Sequence, residues 1–159
     1  MPLNHRDFWD TKRLKSELAT HAMSEGKVFL YFLAILGFDW LQFTVIRLSS
    51  YGRPITDWER ADALIALAIT IAGVLFLFAR NGGSRGRDFL YRYFPLSVVV
   101  GWKFVAVGFV VLALSHRLMQ GAPAHVSGWA ATGILVAVNI GMFLRIGKHM
   151  KDLAREPAA

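Results

Sequence analysis

The chain has no cysteine among its 159 residues. That excludes disulfides, thiolate metal sites, a cysteine nucleophile and palmitoylation, and it leaves the redox compartment open. Charge is scarce as well: 18% of residues are charged and 55% are hydrophobic, too little polar surface for a soluble domain of this size. No His-Glu metal motif, no Gly-x-Ser-x-Gly and no carboxylate cluster occurs, so neither catalysis nor a metal site is indicated. Haem in a helical bundle wants imidazoles on facing helices inside the apolar runs. His116 and His125 instead flank a loop, His149 follows the last apolar run, and His5 and His21 lie near the start. Ligation by His116 and His125 at one face is the arrangement left, against ordinary interfacial side chains, and no cofactor is expected.

What the chain does have is four long apolar runs, Val28 to Leu48, Ala63 to Ala79, Pro95 to Ser115 and Val126 to Leu144. A helix needs roughly 20 residues to cross a bilayer at about 1.5 Å rise per residue, and each run comes close to or reaches that length. The expected fold is therefore all-α, a four-helix transmembrane bundle over 28–148, preceded by a segment 1–27 and followed by a tail 149–159. The first run starts after many charges and runs too long for a cleaved signal peptide.

Basic residues set the expected orientation. Arg6, Lys12, Arg13, Lys15 and Lys27 precede the first run, Arg80, Arg85, Arg87 and Arg92 surround the second loop, and Arg145, Lys148, Lys151 and Arg155 follow the last run. The other side holds Arg47, Arg53, Arg60 and Arg117. This asymmetry predicts cytoplasmic N- and C-termini in a bacterial inner membrane. The net charge of +7 then reflects topology, and no aromatic-interleaved motif points to nucleic acid.

Asp10 or Thr11 is suited to cap a short helix over Lys12 to Thr20, with Leu14 and Leu18 on one edge. Such a helix is expected to lie at the cytoplasmic membrane surface, as an anchor or a dock for a cytoplasmic protein partner. Ser24 is placed to cap the first span. Thr56 and Glu59 have capping-box spacing, so the second helix should start at about Asp57. The second loop, Asn81-Gly82-Gly83-Ser84-Arg85-Gly86-Arg87-Asp88, combines permissive glycines with arginines. It reads as a loop in which Arg85, Arg87 and Arg92 contact lipid headgroups or another anion. It lacks the Lys-Ser/Thr ending of a phosphate-binding loop. Pro95 suits the first turn of the third helix.

The run Asn81-Gly82-Gly83 to Gly86, then Asp88-Phe89 and a proline-started helix, together with Glu25 to Phe32, resembles a group of small bacterial four-span membrane proteins of no known activity. The resemblance covers about half the chain and implies the four-span architecture. It brings no catalytic residue with it.

Polar groups at membrane depth are the natural place for chemistry. Asp39 and Gln42 lie one turn apart in the first span, Lys103 is in the third and Asn139 in the fourth. Counted from the inner ends, Asp39, Lys103 and Asn139 stand at roughly 16, 12 and 8 Å, so Asp39 and Lys103 are the expected pair. That pair is either a neutralising bridge that fixes helix register or a protonatable, cation-binding carboxylate with a competing lysine. The remaining reading has Lys103 snorkelling to the inner surface without a partner.

Small residues repeat at helical spacing. They include Ala66 and Gly73 in the second span, Gly101 and Gly108 in the third, and Gly133 and Gly141 in the fourth, as close helix packing in lipid requires. Small and polar faces point different ways in the last two helices, which implies contact with further subunits. The pattern predicts a non-enzymatic homo-oligomer that passes ions or alters membrane permeability. The alternative is an accessory or anchoring subunit of a larger membrane complex.

Overall fold

The computed structural model describes residues 10–20, 22–49, 52 and 54–155, without the side chains of 42, 43 and 45–49. It is all-helical over these residues. The elements are α1 (Thr11–Ala19), α2 (Glu25–Ser49), α3 (Asp57–Arg80), a 3-10 turn (Gly83–Arg85), α4 (Phe89–Leu118) and α5 (Ala124–Arg155).

Local chemistry sets several helix starts. The Asp10 carboxylate accepts from the backbone N–H of Lys12 at 3.0 Å and of Arg13 at 3.1 Å, so α1 begins at Thr11. At α3 the Glu59 carboxylate accepts from the Thr56 backbone N–H at 2.9 Å and from its hydroxyl at 2.7 Å, and the helix starts at Asp57. The Ser24 hydroxyl accepts from the Lys27 N–H at 3.4 Å ahead of α2. α4 corrects the expectation for proline, because the helix opens at Phe89 and Pro95 lies inside it. The loop explains this early start: Asp88 takes a left-handed backbone with φ of 56°, and its carbonyl already accepts from the Arg92 N–H at 3.0 Å.

Three helices among the described residues are long and apolar enough to cross a membrane, α3, α4 and α5, not the four expected. The first expected span falls in α2, which has 25 residues, but the side chains of seven positions toward its C-terminal end lie outside the described set. α4 with 30 residues and α5 with 32 are about 45 and 48 Å long. Both exceed a hydrocarbon core of about 30 Å. The boundary expected at residue 148 falls within α5, which continues unbroken over the basic residues to Arg155.

The packing also differs from a closed bundle. α5 lies between α3 and α4, α4 carries α2 on another side, and α2 and α3 share at most a marginal contact. The long helices thus form a row in the order α3, α5, α4, α2. Each contact has its own chemistry. Between α3 and α5, aromatic rings fill the places where glycines lack a side chain: Phe143 at Gly73, Phe76 at Gly147 and Trp58 at Gly128. Between α4 and α5, Gly108 faces Val138, Gly141 faces Phe104 and Gly101 faces Met142. Between α2 and α4 the contact is aromatic, with ring centroids of Phe32 and Phe94 5.0 Å apart and of Phe38 and Trp102 5.6 Å apart.

The core is concentrated at the end where the basic residues gather. There α1, α2 and α5 surround α4, and Pro95, Leu96, Val98, Val99, Val100 and Gly101 are all buried. Tyr31, Leu77, Ile146, Met150 and Leu153 complete it. Away from that end the helices turn large apolar side chains outward, such as Leu64, Leu67, Ile71 and Leu75 on α3 and Phe109 on α4. Such continuous apolar surface far exceeds what a water-exposed monomer carries.

Candidate functional site

Asp39 and Lys103 each lie fourteen residues into their helices, α2 and α4, or about 21 Å along the axis. The Phe38 and Trp102 rings, one residue earlier in each helix, touch. The two residues are therefore level, whereas counting from the apolar runs put Asp39 about 4 Å higher; α2 starts three residues before its run and α4 six before its own. They do not pair. The Lys103 ammonium donates instead to the Thr11 hydroxyl of α1 at 2.8 Å, the direction that snorkelling requires. Asp39 is exposed and has no hydrogen-bond or ion-pair partner among the described residues. Trp40 beside it and Trp102 across from it are exposed as well.

The other members of the expected cluster are not brought in. The Asn139 amide donates to the Leu135 carbonyl of its own helix at 2.9 Å, so its polarity is met locally. The side chain of Gln42 lies outside the described residues. Asp39 therefore stands on the α2 surface without a hydrogen bond or ion pair, with Tyr93 of α4 within reach of its charge, and the described residues place Lys103 and Asn139 elsewhere.

α1 has a different position from the one expected. It packs on α4 and α5, and protein rather than lipid covers Leu14 and Leu18, which are 3% and 0% exposed. Polar links hold it in place. The Tyr91 hydroxyl accepts from the Met23 N–H at 3.1 Å and donates to the Met23 carbonyl at 3.0 Å. Lys15 pairs with Asp152 at 2.8 Å, while Glu17 receives both Lys27 at 2.7 Å and Arg13 at 3.2 Å. The two backbone N–H groups, Arg13 first, hold the Asp10 carboxyl below its ordinary range.

The glycine loop is a staple. Asn81 is buried to 1% exposure; its amide donates to the Arg87 carbonyl at 3.0 Å, and its oxygen accepts from Arg92 at 3.0 Å. The Gly86 α-carbon lies against the Asn81 carbonyl, where no Cβ fits, and Gly82 adopts φ of 103°. The anion trio expected here is therefore divided: Arg92 is engaged inside the loop, and Arg85 and Arg87 are exposed.

Of the predicted packing positions, Gly73, Gly101, Gly108 and Gly141 meet another helix, whereas Ala66 and Gly133 face outward. Two glycines that accommodate rings, Gly128 and Gly147, went unread because their partners, Trp58 and Phe76, lie on another helix. No group of three His, Cys, Asp or Glu side chains among the described residues is placed to hold a metal ion. No protein family, curated protein or solved structure matches this chain.

Proposed function

We propose that this chain is a small integral membrane protein, with α2 as a fourth span, that assembles with copies of itself and passes ions along the face that carries Asp39. The observation behind this reading is the exposed, unpartnered carboxylate midway along an apolar helix. A charge facing hydrocarbon at such depth costs at least about 2.5 kcal/mol on insertion scales. Copies arranged with their α2 faces around a wet axis would supply water to that carboxylate and cover Trp40 and Trp102. Basic residues gathered at one end fit a bacterial inner-membrane protein with cytoplasmic termini.

A second reading, an accessory subunit, draws on the other end of the row. The free side of α3 carries Leu64, Leu67, Ile71 and Leu75, all exposed, and self-assembly through α2 leaves that side for a different chain or for lipid. One experiment separates the two. Protein purified alone is reconstituted in liposomes, its ion flux is measured, and its mass in detergent is determined. A conducting homo-oligomer gives flux that Asp39→Asn changes and Lys103→Met leaves intact, since Lys103 serves α1. A monomer without flux refutes conduction and favours the accessory role.

A further inference from the structure

α3 and α5 run parallel, with Gly73 at the height of Phe143 and Phe76 at that of Gly147. Their basic ends flank an open cavity of about 350 Å³, at the small end of the range for ligand pockets. Four cations line it, Arg80 from α3 and Lys148, Lys151 and Arg155 from α5. None of the four has an ion-pair partner among the described residues. Arg80 lies over the Phe76 ring, 5.0 Å from its centroid. The single carboxylate on the cavity wall, Asp152, is already engaged by Lys15 at 2.8 Å. The cavity is thus a concentration of positive charge that Asp152, shared between Lys15 and the field of Lys148, offsets only in part.

The wall also has a gradient. Ile140, Leu144 and Lys148 follow one another at four-residue intervals on one face of α5. Ile140 and Leu144 are exposed, and Leu144 and Phe76 line the apolar side of the cavity. A free anion has no use for that apolar side. A molecule with a phosphate at one end and a hydrocarbon chain at the other matches both.

We propose that the α3–α5 cavity binds the phosphate headgroup of an anionic phospholipid, with the acyl chain lying along α5 toward Leu144 and Ile140. The site is separate from the exposed loop arginines and from the Asp39 face, and it rests on the membrane reading above. Four basic side chains converging between two helices at a membrane face are suited to such headgroups, and each cation near an anionic membrane surface strengthens binding by about fivefold.

The test uses the full chain in detergent and native mass spectrometry, titrated with dioleoylphosphatidylglycerol, with dioleoylphosphatidylcholine, and with phosphatidylglycerol in the presence of inorganic phosphate. The expected result is preferential retention of phosphatidylglycerol, weakened about thirtyfold by Lys148→Gln with Lys151→Gln and unchanged by Arg117→Gln in the last turn of α4. Arg155→Gln, at the end of the helix, gives an independent reading of about fivefold should the double variant fold poorly. Equal retention of the two lipids, or wild-type binding by the Lys148 and Lys151 variant, overturns the site. Displacement by equimolar inorganic phosphate overturns the lipid as its ligand. A chain that enters bilayers yet shows no headgroup preference refutes this inference alone and leaves membrane insertion standing.

Discussion

Replacing Leu14 and Leu18 together with alanine should release α1 while the rest of the chain stays folded. Both side chains are almost fully buried against α4 and α5, and a buried Leu→Ala change costs about 2–5 kcal/mol. The double change therefore removes at least about 4 kcal/mol from the docked state. The polar links are weaker: the two Tyr91 hydrogen bonds to Met23 contribute about 0.5–1.5 kcal/mol each, and the partly exposed Lys15–Asp152 pair adds at most about 1 kcal/mol. Burial thus dominates. α1 has nine residues, fewer than the roughly 12–15 that an isolated helix needs in water, so undocking and unfolding coincide. Hydrogen–deuterium exchange in nanodiscs should show amides 11–20 exchanging several hundredfold faster in the double variant, with α3 and α5 unchanged. Tyr91→Phe should accelerate the same amides by between about fivefold and a hundredfold. A helix resting in lipid would also be loosened by the leucine changes but would ignore Tyr91→Phe. Wild-type protection of α1 in both variants would refute the docking argument outright.

Three further outcomes follow from local geometry. Gly147→Ala places a methyl where the Phe76 ring lies and should lower stability by about 1–3 kcal/mol in detergent thermal unfolding. Gly133→Ala, with nothing within 4 Å of its added methyl, should be neutral or stabilising by up to about 1 kcal/mol; the same outcome for Gly147→Ala would show that the α3–α5 contact is loose. The Asp10 carboxyl is held below its ordinary value by the N–H groups of Arg13 and Lys12, so its cap is fully present above pH 3.8, the unperturbed value, and fades as pH falls through the depressed one. Exchange protection of α1 should decline in that acid window, where Asp152, held low by Lys15, also takes up its proton; Asp10→Asn, a neutral cap, should lessen the decline and leave the Asp152 part.

The parts of this fold that depend on neighbouring residues were legible in the sequence. Asp10, Ser24 and the Thr56–Glu59 box mark helix starts because the groups they satisfy lie within three residues. The heights of Asp39 and Lys103 were legible only to within about 4 Å, since rise per residue is fixed but the start of α4 at Phe89 was not read. Their directions were not. Lys103 reaches Thr11, 92 positions earlier in the chain, and no periodicity shows which side of α4 an N-terminal helix will take. The same limit applies to the small residues. Gly141 and Gly133 belong to one repeating pattern, yet Gly141 meets Phe104 and Gly133 faces outward, because the order of helices in the row decides which stripe is covered. Pro95 misled for a similar reason: proline suits a first turn, but the Asn81 staple and the turn at Asp88 set the start of α4 six residues earlier.

The central place of α5 has a temporal side. A ribosome delivers this chain from its N-terminus, so α3 leaves the tunnel long before the helix that covers Gly73 and holds the ring of Trp58. α2 and α4 can meet as soon as α4 is made, but α3 has no principal partner until α5 arrives. α1, the first described element, can dock on α4 but waits for α5 to supply Asp152 to its Lys15. Among the described helices, α5 is therefore the one whose arrival ties α3 to the packed pair of α2 and α4.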